Sequence, residues 1–207
     1  DSRDAREGTV ARFVERYRVD VEHAGRVAET ARALYADAAS QPLPESLQRL
    51  EWAGMLHEIG YSVSHQGFHK HGAYILQHAD MPGFDAREQR QLAMLVVACR
   101  GSLAKVAPAL HDADRRAQIL ALRLAVRLHH ARRPIALPPV AIRAGAGVGW
   151  RVAARWLARH PLTLHLLDEE RAQWTGEGYR WRAPPVARAR PRTVARRARG
   201  RGSGNAA

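Results

Sequence analysis

The chain has a single cysteine, Cys99, and therefore no internal disulfide; the thiol sits in an apolar run, which fits a reducing compartment, and the expected location is the cytoplasm. Long apolar runs are also missing. The longest, Leu92 to Cys99, has eight residues, far short of the roughly 20 that carry a helix across a bilayer, so no membrane association is expected. The first residue is Asp1, and no charged leader followed by an apolar stretch opens the chain, which reads as a fragment or processed product. No internal repeat is visible. Aromatic residues make up only 6% of the 207 residues. Lysine is the most pointed scarcity: Lys70 and Lys105 are the only two among 33 Lys and Arg residues.

What is present in excess is arginine, which gives a formal charge of +13. A guanidinium grips phosphate oxygens in a planar, bidentate way, so a polyanionic partner is one reading of this composition. A GC-rich coding bias, which enriches Arg with Ala, Gly and Pro, is the other. Residues 183 to 207 hold seven arginines (Arg188, Arg190, Arg192, Arg196, Arg197, Arg199 and Arg201) and no acidic residue, and read as a disordered tail. The body remains basic without it.

Apolar residues at three- and four-residue spacing predict helices over about 6–17, 20–40, 45–59, 69–78, 85–99 and 112–132. Asp20 is the expected N-cap of the second, Gly60 the expected cap ending the third, and Asp85 with Glu88 an expected capping box. The third, apolar on most sides, is expected to be central. From Pro134 the pattern changes. A hairpin turning near Gly145 to Gly149, a helix near Pro161 to Trp174 and a closing strand at Tyr179 to Arg182 predict a small α/β subdomain over 134–182 behind a helical domain over 1–133.

Five of the eleven histidines, His57, His65, His69, His71 and His78, fall between Leu56 and Phe84. His57 is followed directly by Glu58, and His23 lies one helix earlier; imidazoles and carboxylates converge in this way on metals or phosphates. His57 also shares a helix face with Leu50, Ala53 and Gly54, where a core histidine bonded to backbone is the plainer reading. On the helix from Asp112, the residues Arg116, Arg123, Arg127 and His130 share a face opposite Ile119, Leu122 and Val126. With Lys70, Arg100 and Lys105 this stripe is expected to form a basic wall suited to a polyanion. A solvated helix face is the alternative.

The order of these features resembles the HD-domain superfamily, in which a helix-borne histidine, a His-Asp pair and a distal aspartate hold a metal. More closely, RYRVDVEHAGRVAETARALY (Arg16 to Tyr35), WAGMLHEIGYSVSHQGFHKHGAYILQHADMPGF (Trp52 to Phe84), LAMLVVACRG (Leu92 to Gly101), LALRLAVRLHHARRP (Leu120 to Pro134) and LDEERAQWTGEGYRW (Leu167 to Trp181) resemble the C-terminal region of the exopolyphosphatase and guanosine pentaphosphate phosphatase family. The resemblance implies a mainly α, HD-like helical bundle followed by a small α/β subdomain. It implies a chain that helps line a polyphosphate channel and form a homodimer, behind N-terminal actin-like lobes that do the chemistry with magnesium. No Gly-x-x-x-x-Gly-Lys loop occurs here, so no catalytic residue, and no cofactor in this chain, is expected. Against the HD pattern, Glu58 stands for the aspartate, Val126 at the distal aspartate position and Cys99 where the family usually has a histidine. His23, His57, Glu58 and His71 are thus degenerate motif positions with no metal expected. A free-standing metal-dependent phosphohydrolase and a basic nucleic-acid-binding protein are the alternatives; the latter lacks an aromatic platform, since Trp52 and Tyr74 fall on expected core faces.

Overall fold

The computed structural model describes residues 2–39 and 41–184. The chain is mainly helical: α1 (Ser2–Arg16), α2 (Val21–Ala38), α3 (Pro44–Leu56), α4 (Phe68–His78), α5 (Ala86–Ala98) and α6 (Ala113–Leu128) precede a hairpin of β1 (Val140–Ala144) and β2 (Gly147–Val152). Short α7 (Ala154–Leu157), then α8 (Pro161–Gly176) and β3 (Arg180–Trp181), complete it. β1 pairs antiparallel with β2, Ile142 opposite Trp150, and β3 joins the other side of β2 in parallel.

Local chemistry sets most helix starts. Asp20 caps α2 by accepting from the His23 amide at 3.0 Å, and Asp85 and Glu88 form the reciprocal capping box of α5. Pro44 opens α3, where its fixed φ suits the first turn and its missing N–H leaves nothing unpaired.

Gly60 does not cap α3. The helix stops at Leu56, and a 3-10 turn over Ile59–Ser62 follows with Gly60 buried inside it. The reason is space: a Cβ there would lie 1.8 Å from the Phe68 carbonyl oxygen, so the glycine permits the start of α4 to pass over this turn. A second 3-10 segment, Leu103–His111, was not anticipated; its N-cap Ser102 accepts from the Ala104 amide, and Pro108 inside it prevents an α-helix.

The central helix is α6 rather than α3, because every residue from Ala117 to Ala125 is buried, Arg123 included. A single apolar cluster runs from Phe13 and Tyr35 through Leu95 and Leu122 to Val148, Trp150 and Trp174, so the C-terminal sheet and α8 pack onto the same core as the helices. The predicted tail lies outside the described residues except for Ala183 and Pro184; the Pro184 carbonyl accepts two bonds from Arg151, at 2.6 and 2.9 Å.

Two glycines, Gly54 in α3 and Gly25 in α2, give a test of opposite sign. A Cβ at Gly54 would meet the Ala28 backbone at 2.5 Å, whereas one at Gly25 meets nothing within 4 Å. Gly54→Ala should therefore lower stability by about 1–3 kcal/mol through overpacking, and Gly25→Ala should raise it by up to about 1 kcal/mol through helix propensity. Urea denaturation midpoints of both variants check this.

Candidate functional site

Two places gather the chemistry that the sequence singled out. The first is where α2 starts and α3 ends. His23, in the first turn of α2, and the His57-Glu58 pair following α3 bring one ligand-type atom each within 4.8 Å of one another, the one such group among the described residues. His23 Nε2 lies 3.6 Å and His57 Nε2 3.7 Å from the same oxygen, Glu58 Oε1. His57 is buried and its Nδ1 is 2.6 Å from the Gly54 carbonyl, which can only accept; Nδ1 therefore carries the proton and neutral His57 turns a lone pair on Nε2 toward the cluster. Both readings of His57 hold together: one nitrogen is bonded to backbone as in a core histidine, the other is buried without a hydrogen-bond partner. His71, half-buried on α4, is not part of this group.

A fourth residue was not singled out from sequence. Arg132, just past α6, donates to Glu58 Oε1 at 2.5 Å and lies 3.3 Å from Asp20. Its carbonyl is held at 3.1 Å by Arg26, and its φ is +58°. Burial alone would raise the Glu58 carboxyl, but the hydrogen bond from His23, the attraction of His57 once acid has protonated it, and the Arg132 bond outweigh it and hold the group down to about 2. Burial pushes His57 down as well. No spacing rule links positions 58 and 132, which is why sequence reading passed over Arg132.

The second place is the turn after α5. Lys70, Arg100 and Lys105 are exposed there, around Gly101, whose φ is +75°. A Cβ at Gly101 would lie 3.3 Å from Lys105 Nζ and 3.4 Å from His69 Nε2, so the glycine lets the two side chains close on the turn. Lys105 donates to the Arg100 carbonyl. Burial and the charges of Arg123, Lys70 and Arg127 lower Lys105 to about 8, while burial with Lys105, Lys70 and Arg100 lowers His69 to about 4. Burial is the larger cause of both shifts, and the neighbouring positive charges add to it in the same direction.

The α6 stripe is placed differently from the expected wall. Arg123 has no exposed surface; it makes a bidentate pair with buried Glu170 of α8, at 2.6 and 2.9 Å, and donates to the carbonyls of Ala98 and Gly101. Arg127 joins Glu170 at 2.5 Å. Arg116 donates to the carbonyls of Leu110 and Ala144 and lies over the Tyr179 ring, and His130 Nε2 meets Thr163 Oγ1 at 3.0 Å. The four share a face, as the spacing predicts, but that face binds the C-terminal segment instead of solvent. The signal missed was Glu170, a lone acid on the inner side of α8. Tyr74, expected on a core face, is 67% exposed, and it lines an open groove of about 550 Å³ with Lys70, Arg90 and Lys105 above the apolar Met94 and Val97. Trp52 is buried as expected.

His69 gives a test in acid. Its folded value of about 4 lies below the ordinary 6.5, so its contribution to stability is complete above 6.5 and is lost as pH falls from there toward 4. Wild type should lose denaturation midpoint between pH 7 and 4.5, and His69→Gln should lose less. The difference should shrink in high salt, which screens the three cations; parallel pH profiles in the two proteins would contradict this.

Comparison with known proteins bears on the whole of this architecture. The chain is 34% identical over 182 residues to a guanosine-5'-triphosphate,3'-diphosphate pyrophosphatase of Photobacterium profundum, and 31% identical over 182 and 187 residues to proteins of the same name from Vibrio vulnificus and Pseudoalteromonas translucida. These matches cover 85–86% of this chain and 36–37% of the relatives, so the chain spans little more than a third of their length. The family model described as Ppx/GppA phosphatase, domain III matches residues 5–171, and the chain belongs to that family as this domain.

Proposed function

We propose that this chain is the polyanion-holding C-terminal part of a Ppx/GppA phosphatase, and that the exposed cations of the Arg100–Gly101 turn, Lys70, Arg100 and Lys105, carry the contact. The observation that supports this most directly is the unbalanced charge: three exposed cations gather at one glycine turn, and their charges add to burial in lowering Lys105 and His69. Next to it, α4 begins at Phe68 after Gly67 with no side-chain cap, so the positive end of the helix points to the same place. The name of the relatives describes action on a nucleotide bearing five phosphates, which is a compact polyanion; inorganic polyphosphate is the linear equivalent. Charge-assisted contacts of this kind position a uniform polymer without reading a sequence.

In this reading the buried α6 arginines shape the wall from behind and do not touch the polymer. Catalysis belongs to N-terminal actin-like lobes working with magnesium, and the chain serves them in the cytoplasm as one half of a homodimer with an HD-like helical bundle. Arg90 and exposed Tyr74 in the adjoining groove favour a second reading, single-stranded RNA stacked on Tyr74.

Titration against long polyphosphate at several salt concentrations tests both. Replacing Lys70, Arg100 and Lys105 together by alanine should lower the slope of log affinity against log salt by about 2–3, taking roughly 0.7–0.9 per neutralised phosphate. In wild type, saturating tripolyphosphate should raise the His69 titration midpoint observed by NMR, because bound phosphate cancels the charges that depress it. An unchanged slope with an unmoved His69 removes the reading; a tighter complex with RNA, lost in Tyr74→Ala, selects the second. With magnesium and polyphosphate the chain should release no phosphate above background, since it has no glycine-rich phosphate loop; turnover abolished by His57→Ala would place hydrolysis in this chain instead.

A further inference from the structure

The His23–His57–Glu58 cluster has the donors of a metal site and yet already contains a cation. Two imidazoles and one carboxylate in convergence form a set that suits a divalent transition metal. His57 is oriented as a ligand histidine is: Nδ1 is held by the Gly54 carbonyl, and the buried Nε2 has no hydrogen-bond partner. The two imidazole nitrogens approach one oxygen, Glu58 Oε1, from 3.6 and 3.7 Å, separations that a small contraction would bring to those of neighbouring ligands on one ion. That same oxygen accepts the Arg132 guanidinium.

We infer that Arg132 is the resident cation of this cluster, a tethered guanidinium that closes a two-histidine, one-carboxylate site against a divalent metal. An ion bound to Glu58 Oε1 would have to sit beside a fixed positive charge and compete with it for one carboxylate oxygen. The guanidinium cannot leave by losing its proton in any ordinary pH range, so it departs only by moving. Movement is opposed twice: Asp20 draws the same guanidinium, and Arg26 holds the residue's carbonyl. An arginine in this place also does what a structural metal does. It joins the start of α2 to the end of α3 and to the chain leaving α6, and it does so without a free ion.

The test is metal binding by the full 207-residue chain as wild type, Arg132→Gln, Arg132→Lys and the double variant Arg132→Gln/His57→Gln. Zinc is the probe, with isothermal titration, metal content after dialysis and thermal unfolding as readouts. Wild type and Arg132→Lys, which retains a cation, should show no His57-dependent zinc site. Arg132→Gln should bind about one equivalent at least tenfold more tightly than wild type, with an unfolding temperature that rises with zinc, and the double variant should lose both effects. If Arg132→Gln is unfolded alone, zinc must restore its helical circular dichroism, because a ligand that binds only the folded state pulls the equilibrium toward it. Wild type binding zinc as tightly as Arg132→Gln would overturn the inference. So would Arg132→Gln that gains no zinc site, or that zinc cannot refold.

Discussion

The buried pair of Arg123 and Glu170 is the interaction on which the rest of the molecule depends. Both side chains have no exposed surface, and each is fully used: Glu170 accepts from Arg123, Arg127 and the Trp174 indole, and Arg123 also donates to the carbonyls of Ala98 and Gly101. Transferring two such charges out of water is costly, and good geometry with every donor and acceptor satisfied is what makes it tolerable. The pair fixes three things at once. It binds α8 to α6, it closes the open end of α5, and it sets the conformation of the turn at Arg100 and Gly101. The two carbonyls that Arg123 holds flank this turn, so the direction in which Arg100, Lys105 and His69 face is inherited from a contact in the core.

Seen from that contact, the arginine-rich composition divides by location. Arg123, Arg127, Arg116 and Arg151 have guanidinium hydrogens committed to carbonyls or to Glu170, at places where a chain end or strand edge needs acceptors satisfied. Five donors in a rigid plane let one arginine serve two or three carbonyls together, a role lysine cannot fill. Both lysines, by contrast, are at the basic turn, each a compact charge on a flexible stem. Burial around Glu170 also leaves an imbalance, since two guanidinium groups face one carboxylate. The surplus adds to the field at Lys105 and Cys99; burial nevertheless raises the Cys99 thiol to about 11, because loss of water outweighs nearby positive charge.

Legibility from sequence followed the range of the interaction. Helices signalled by local chemistry were foreseen closely: Asp20, Asp85 and Glu88 act within one turn, and the hairpin at Gly145 follows from its glycines. The order of features also sufficed to recognise the family, which the comparisons bear out. Misreadings came where a distant partner decides. The α6 periodicity placed Arg116, Arg123, Arg127 and His130 on one face, but periodicity cannot say whether a face meets solvent or another element, and Glu170 lies 47 residues after Arg123. Tyr74 failed for the same reason in reverse: its side of α4 has no covering element among the described residues and stays exposed. Gly60 was read as a helix cap because glycine most often ends helices by adopting positive φ, whereas here it is kept for closeness to Phe68.

The two histidine environments show how one residue type is held neutral by unlike means. At the basic turn, burial and four cations (Lys105, Lys70, Arg100 and Arg123) act on His69 in the same direction, so its neutrality is sensitive to anything that screens charge. In the α2–α3 cluster, burial opposes protonation of His57 while Glu58 favours it, and burial prevails. Arg132 sharpens that outcome, because a carboxylate already bonded to a guanidinium has less attraction to offer an imidazolium. The first environment therefore answers to salt, whereas in the second the carboxylate is already paired with Arg132. Glu58 and His69 stand at the two ends of one short segment, the 3-10 turn and the loop that leads into α4, so both environments are anchored by the same stretch of chain.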